Sequence, residues 1–444
     1  MGDKHVFSDI PRFLQIDPWP LVPGVVFWLA LMLVAGALIG ELVFRRFSLP
    51  RIVGYSAVGM LAALLGQDAS TRYASGPLRV VIDLALGLLL FELGSRVNLR
   101  WLRNNRGLWY TSAAETLLGF GAMFAALHWI LDQSLQVSLI CATMGVAASA
   151  AVVGRVASEM RAAGQVTERM IVLTALNTLV AVLAHKLVIG WLHLDSPGNW
   201  VQGISQPLYA FGGSVLVAAL LYRLVAWIAR HLDWRDENSA LLLLGLIVLA
   251  LTVASMLNLS TLLVPLLAGV LLRNTSERPW IWPRHFGSAG GVMVLMLFVI
   301  VGASWTPQAL ATGGVAAVVL LLARGAAKGV AVFGLSRWSG ITTRQSAGLT
   351  LALTPLSGTA LVLLAELQLS HPQVAGQVAP IIFSAIAIME IIGPIVLQWG
   401  LRHAGEVVQD AARRDRTQAR REPRSEPVAP PPPSQAPLNA EETS

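Results

Sequence analysis

Charge is what this sequence has least of. Only 13% of its 444 residues are Asp, Glu, Lys or Arg, about half the roughly 25% of a soluble domain. Lysine is rarer still: Lys4, Lys186 and Lys328 are the only three among 32 basic residues. One cysteine, Cys141, excludes an intramolecular disulfide. No metal-ligand cluster, nucleophile triad or phosphate loop is evident, so the chain does not read as an enzyme and no cofactor or metal is implied. What is present instead is apolar: 55% hydrophobic residues and a mean hydropathy of +0.64. These residues fall in blocks of about 18 or more, the length that spans a bilayer core of about 30 Å. A soluble enzyme and a coiled coil are excluded, and the expected class is an all-α polytopic membrane protein.

Block length and Gly, Pro or charged punctuation predict thirteen spans, at about 24–44, 50–66, 78–96, 108–131, 135–154, 169–192, 205–230, 237–257, 259–273, 286–303, 308–336, 344–367 and 378–401. Merging the eighth and ninth, parted only around Asn258 and Ser260, gives twelve. Alternate loops decide for thirteen. One side collects 18 arginines, from Arg45 to Arg344, and the other has only Lys4, Arg12, Arg72 and Arg79. Positive loops stay cytoplasmic, which predicts an outside N-terminus, an inside C-terminus and insertion in the plasma (bacterial inner) membrane. The sequence pI near 10.1 therefore reads as an orientation signal, not as a nucleic-acid footprint. The first block begins near Gly24 and is long enough to remain as a span, so no cleavable leader is expected.

Three regions are predicted: an extracytoplasmic segment 1–23, a transmembrane domain 24–401, and a disordered cytoplasmic tail 402–444. The tail carries Arg413, Arg414, Arg416, Arg420 and Arg421, then Pro430 to Pro433, and has too little apolar surface to fold alone. Its basic stretch lies against anionic lipid or is simply solvated. An odd span count lets spans 1–6 and 8–13 form inverted six-helix repeats about a connecting seventh. Spans 5 and 12, matched by position, are the most interrupted: CATMGVAASAAVVG holds Thr143 and Ser149, and LTPLSGTAL holds Thr354, Pro355 and Ser357. Proline and glycine break helices, and paired broken helices point to a midplane substrate site. Small-residue helix packing is the plainer explanation for the same composition.

Four stretches resemble the cation:proton antiporter superfamily, in its sodium/proton exchanger and potassium-efflux branch. LPRIVGYSAVGMLAALLG (49–66) is similar to that family's second span, and IDLALGLLLFELGSRVNLRWL (82–102) to its third. ASAAVVGRVASEMRAAGQVTERMIVLTALNTLVAVL (148–183) resembles its broken span and core helix, and ARGAAKGVAVFGLSR (323–337) its lysine-bearing helix. The resemblance implies two crossed broken helices, a core domain that moves against a dimerisation domain, and a homodimer. It also implies monovalent cation and proton as transported ions. It places the family's core dipeptide at Asn177 and Thr178, where exchangers usually have an aspartate second, and the core lysine at Lys328. Threonine offers an oxygen ligand but does not titrate.

Intramembrane charge is costly and is functional by default, so substitutes for that aspartate are sought among the buried acids. Glu390, near the middle of span 13, is the preferred one, pairing with Lys328 or carrying a proton itself. Asp83, Glu92 and Glu115 are placed nearer their span ends, to line a proton path or pair with Arg324. Lys186 is expected to snorkel, and Glu41 and Glu366 to be interfacial. Three readings follow. The first is a sodium or potassium:proton antiporter working by alternating access. The second is an anion or organic-acid transporter favoured by an electropositive core, and the third a non-transporting membrane sensor or scaffold.

Overall fold

A computed structural model describes residues 25–65, 77–192, 200–231, 237–275, 286–356 and 358–407. The expected amino-terminal segment, nearly all of the tail, Lys4, Arg12, Arg72 and the candidate Ser357 lie outside these residues. The described residues are helical, with one isolated β-bridge between Ala162 and Val407.

The first group of helices is α1 (Val25–Phe47), α2 (Arg51–Leu64), α3 (Pro77–Arg96) and the short α4 (Leu99–Asn104). Next come α5 (Arg106–Ala125), extended by a π-helical turn Ala126–Ile130, then α6 (Leu135–Val146), α7 (Ala150–Glu159) and α8 (Gln165–Leu192). The chain continues through α9 (Trp200–His231), α10 (Glu237–Met256), α11 (Leu263–Thr275) and α12 (Phe286–Gly302). It closes with α13 (Pro307–Gly334), the one-turn α14 (Ser336–Ser339), α15 (Thr343–Ala352), α16 (Gly358–Ser370) and α17 (Pro372–Ala404). The helical segments α1–α3, α5–α13 and α15–α17 follow the predicted apolar blocks. Among the described residues seven stretches are long and apolar enough to cross a membrane by length and composition, α6 with α7 counting as one, and five further apolar helices are shorter. The molecule is a multi-pass membrane protein.

Both predicted breaks are present. Span 5 is the pair α6 and α7, separated at residues 147–149, and span 12 is the pair α15 and α16, with residues 353–356 after the end of α15 non-helical. The second half of span 5 runs on to Glu159, past the predicted end at 154. Its new start is capped, because the Ser149 hydroxyl accepts from the Val152 amide at 3.2 Å. The eighth and ninth blocks are separate helices, and Asn258 at φ 52° turns the chain between them.

Two bundles follow from the contacts. One joins α5–α8 to α13 and α15–α17, and the other joins α1–α3 to α10–α12, with α9 packing on α8 and α11. Among the described residues, arginine-bearing helix ends and loops meet on one face. There Arg51 pairs with Glu159 at 3.0 Å, Arg169 donates to the Ser339 carbonyl at 2.7 Å, and Arg344 donates to the His403 carbonyl.

Candidate functional site

At the centre of the first bundle the two breaks cross, and the Ser149 amide donates to the Pro355 carbonyl at 3.1 Å. A helix end leaves carbonyls without intrahelical partners, and in a bilayer no water is at hand to satisfy them. Arg324, 1% exposed, does so here. Its Nε donates to the Gly145 carbonyl at 2.7 Å and one Nη to the Ala147 carbonyl at 2.9 Å, both where α6 ends. The other Nη donates to the Thr354 carbonyl beyond α15. A planar fork of five N–H groups suits such a cluster where an ammonium would not. The negative ends of both half-helices are therefore occupied by a cation belonging to the protein.

One turn along α13 lies Lys328, 3% exposed at its side chain. It does not snorkel. Its Nζ meets Glu115 Oε2 of α5 at 2.6 Å, and the Glu115 side chain is fully buried. The other carboxylate oxygen accepts from Asn177 Nδ2 at 2.9 Å, and Asn177 Oδ1 accepts from the Thr116 hydroxyl at 3.2 Å. Four residues from α5, α8 and α13 thus form one connected network, its amide oriented by having a donor on one side and an acceptor on the other.

The partner of Lys328 is therefore Glu115 and not Glu390. Glu115 lies well inside α5, not near a span end, because the helix begins at Arg106 and its polar face (Thr111, Ser112, Thr116) is turned inward. That face was the available signal: hydroxyls three and four residues before Glu115 and one after it. Glu390 is buried in the middle of α17 as expected, but its bond is not to Lys328. Its Oε2 accepts from the Ser56 hydroxyl of α2 at 2.9 Å, so it belongs to the seam between the bundles. None of the three other acids pairs with Arg324, whose donors are taken by carbonyls. Asp83 lies 3.7 Å from Arg79, and Glu92 pairs with Arg96 at 2.5 Å on the half-exposed face of α3.

The candidate hydroxyls are local. Thr178, fully buried, donates to the Thr174 carbonyl at 2.9 Å, and Thr143 to the Ile140 carbonyl at 2.7 Å. Thr354 donates to the Leu351 carbonyl at 2.8 Å. Each donor is spent within its own chain segment, which leaves lone pairs that accept or coordinate. Thr143 also lies 3.3 Å from Nδ1 of His185, a buried residue of α8 that the sequence offered only as the neighbour of Lys186 and not as a site residue. Lys186 is likewise no snorkelling residue, since it pairs with Glu366 at 2.7 Å. That pair lines a cavity of about 710 Å³ between the bundles, on the face opposite the arginine-rich loops. Among the described residues no group of three or more His, Cys, Asp or Glu is arranged to hold a metal ion.

Comparison with known proteins agrees with this architecture. Direct comparison with curated protein sequences gives no match. A structure of the sodium proton antiporter MjNhaP1 from Methanocaldococcus jannaschii at pH 8 superposes with a TM-score of 0.62 at 17% identity. The match covers 87% of this chain and 97% of that one. An electron-microscopy structure of the same antiporter gives 0.63 at 16% identity, over 91% and 99% of the two chains. At such identities the likeness is one of fold. The transmembrane sodium/hydrogen exchanger family model matches residues 30–403. With its all-helical architecture, its two crossed broken helices and a match of that length, the chain belongs to the sodium/hydrogen exchanger family, a family of transporters.

Proposed function

We propose that the chain exchanges a monovalent cation, sodium or potassium, for protons, with Glu115 in the role usually held by the aspartate that Thr178 replaces. The observation that carries this reading is the buried 2.6 Å contact between Lys328 and Glu115, held by Asn177 at the core-helix position. A buried carboxylate needs a positive partner. Lys328 is that partner in the state seen here, and a dehydrated cation coordinated by Glu115 and the hydroxyl oxygens of Thr116 or Thr178 would take its place. The lysine then sheds its proton, since two positive charges on one buried carboxylate are unfavourable. One cation in for one proton out leaves the charge of the site unchanged. Alternating access would come from the first bundle sliding on the second across the Ser56–Glu390 seam. An outside N-terminus, an inside C-terminus and a homodimer belong to the same proposal.

A second reading has its own observation. Arg324 already fills the half-helix C-termini, while the N-termini of α7 and α16 face the crossing. Helix N-termini attract anions, so an anion or organic acid is the alternative substrate.

The test is proton flux in proteoliposomes with sodium, potassium or neither, for the parent, Glu115→Gln, Lys328→Ala and Glu390→Gln. Cation-dependent flux that is lost in Glu115→Gln and kept in Glu390→Gln supports the proposal. Loss in Glu390→Gln alone moves the proton carrier to the seam. Absence of any cation dependence in the parent defeats the exchanger reading, and flux driven by added anions would then favour the second.

A further inference from the structure

Besides the crossing, a cavity of about 580 Å³ opens on the arginine-rich face, where the two bundles meet. One wall is the α1–α2 corner, with Arg45 and Ser48. The other is the end of α7 and α17, with Glu159, Arg161, Gln398 and Arg402. Its lining acid, Glu159, is already engaged with Arg51 at 3.0 Å, and the lining Arg45 is taken up at 2.6 Å by Glu41, just outside the cavity. Among the described residues, the guanidinium groups of Arg161 and Arg402 have neither an acidic partner nor a hydrogen-bond acceptor.

The backbone gives an independent observation. Four described non-glycine residues have positive φ: Ser48, Asp132, Arg161 and Asn258. Asp and Asn tolerate that region through local side-chain hydrogen bonds. Ser48 (φ 53°) and Arg161 (φ 48°) are not of that type, and both line this cavity. Arg161 follows α7 at the position where helices ordinarily end in glycine. Strain kept at a site is a pointer to function, and a strained arginine in place of glycine keeps a cation in this cavity.

We propose that the cavity binds a phosphate group between Arg161 and Arg402, whether from a phospholipid headgroup or from free phosphate. Paired arginine forks match phosphate oxygens bidentately. The apolar lining at Phe44, Leu49 and Val407 suits the glycerol and chain end of a lipid. Both arginines belong to the same wall, so a bound anion ties the ends of α7 and α17 together, facing the α1–α2 corner across the cavity. This inference does not depend on the transported ion.

The test reads binding, apart from transport. Thermal unfolding is followed in detergent with inorganic phosphate against sodium chloride at matched ionic strength. It is followed also in vesicles of phosphatidylcholine with and without phosphatidylglycerol. The parent, Arg161→Gly and Arg402→Gln are compared. Phosphate, phosphatidylglycerol or both should raise the parent's melting temperature by several degrees beyond chloride or phosphatidylcholine alone. A response to the lipid alone identifies a headgroup, and a response to phosphate in detergent identifies the free anion. Arg402→Gln should weaken the shift and Arg161→Gly should abolish it. Without anion Arg161→Gly should melt no lower than the parent, since glycine suits the left-handed angle. Equal responses to phosphate and chloride in detergent, together with no effect of phosphatidylglycerol, overturn the proposal. So does a full response in both variants.

Discussion

In the bundle of α1–α3 and α10–α12 the helices meet backbone to backbone. A methyl group on Gly269 would lie 2.2 Å from the Phe91 carbonyl oxygen, and one on Gly59 would lie 2.1 Å from that of Val299. Small residues at such crossings are how helices pack where lipid offers no hydrophobic drive. The bundle of α5–α8, α13 and α15–α17 has such approaches too, since a methyl group on Gly313 would lie 2.3 Å from the Pro380 carbonyl oxygen, but its centre is also held by ions: Arg324 on the carbonyls of two breaks, and Lys328 on Glu115. The first arrangement leaves no free room for an added methyl group, so a neighbour must shift to admit one. The second has partners that can be exchanged, which is what a transport site needs. The difference separates what must stay rigid from what must change.

The sharpest way to break this comparison is Arg324→Ala. It frees the carbonyls of both breaks in a dry interior at once, and should cost about 3–5 kcal/mol, read as a large fall in detergent melting temperature. Next is Glu115→Leu, which strands Lys328 and should also cost a few kcal/mol, roughly 3. Adding Lys328→Met should return most of that stability while flux stays lost, because a buried ion pair is replaceable for folding. If the double variant transports, the ion pair has no part in exchange. Gly269→Ala tests the other bundle and should cost about 1–3 kcal/mol through overpacking, with flux per folded molecule unchanged. Ser56→Ala removes one hydrogen bond across the seam and should cost about 1 kcal/mol. Glu92→Gln should be the smallest change, about 0–1 kcal/mol, since the Glu92–Arg96 pair is about one-third exposed.

The elements themselves were legible, because the signals for them are local. Apolar block length gave the helices. Pro355 with its small neighbours marked one break, and the Thr143–Ser149 run marked the other. A lysine in a chain that has only three marked Lys328. Its partner was not legible, because 213 residues separate Lys328 from Glu115, and sequence position does not give the depth at which helices from opposite halves meet. Repeat symmetry favoured Glu390, on the helix matched to α8. The structure instead brings α5 against α13, and turns Glu390 outward to Ser56. Arg324 was singled out, but as the partner of an acid. That it serves carbonyls depends on the crossing, which no local pattern encodes.

Arg324 also sets an order of events. The α6–α7 break is synthesised nearly 180 residues before the arginine that satisfies it. An inserting chain must therefore keep bare carbonyls of α6 at membrane depth until α13 arrives from the ribosome. The first half of this protein is not a finished membrane domain that the second half merely joins. Its central helix pair is completed only by a side chain from the second half, so truncations that end before α13 would leave an open break for quality-control proteases to find.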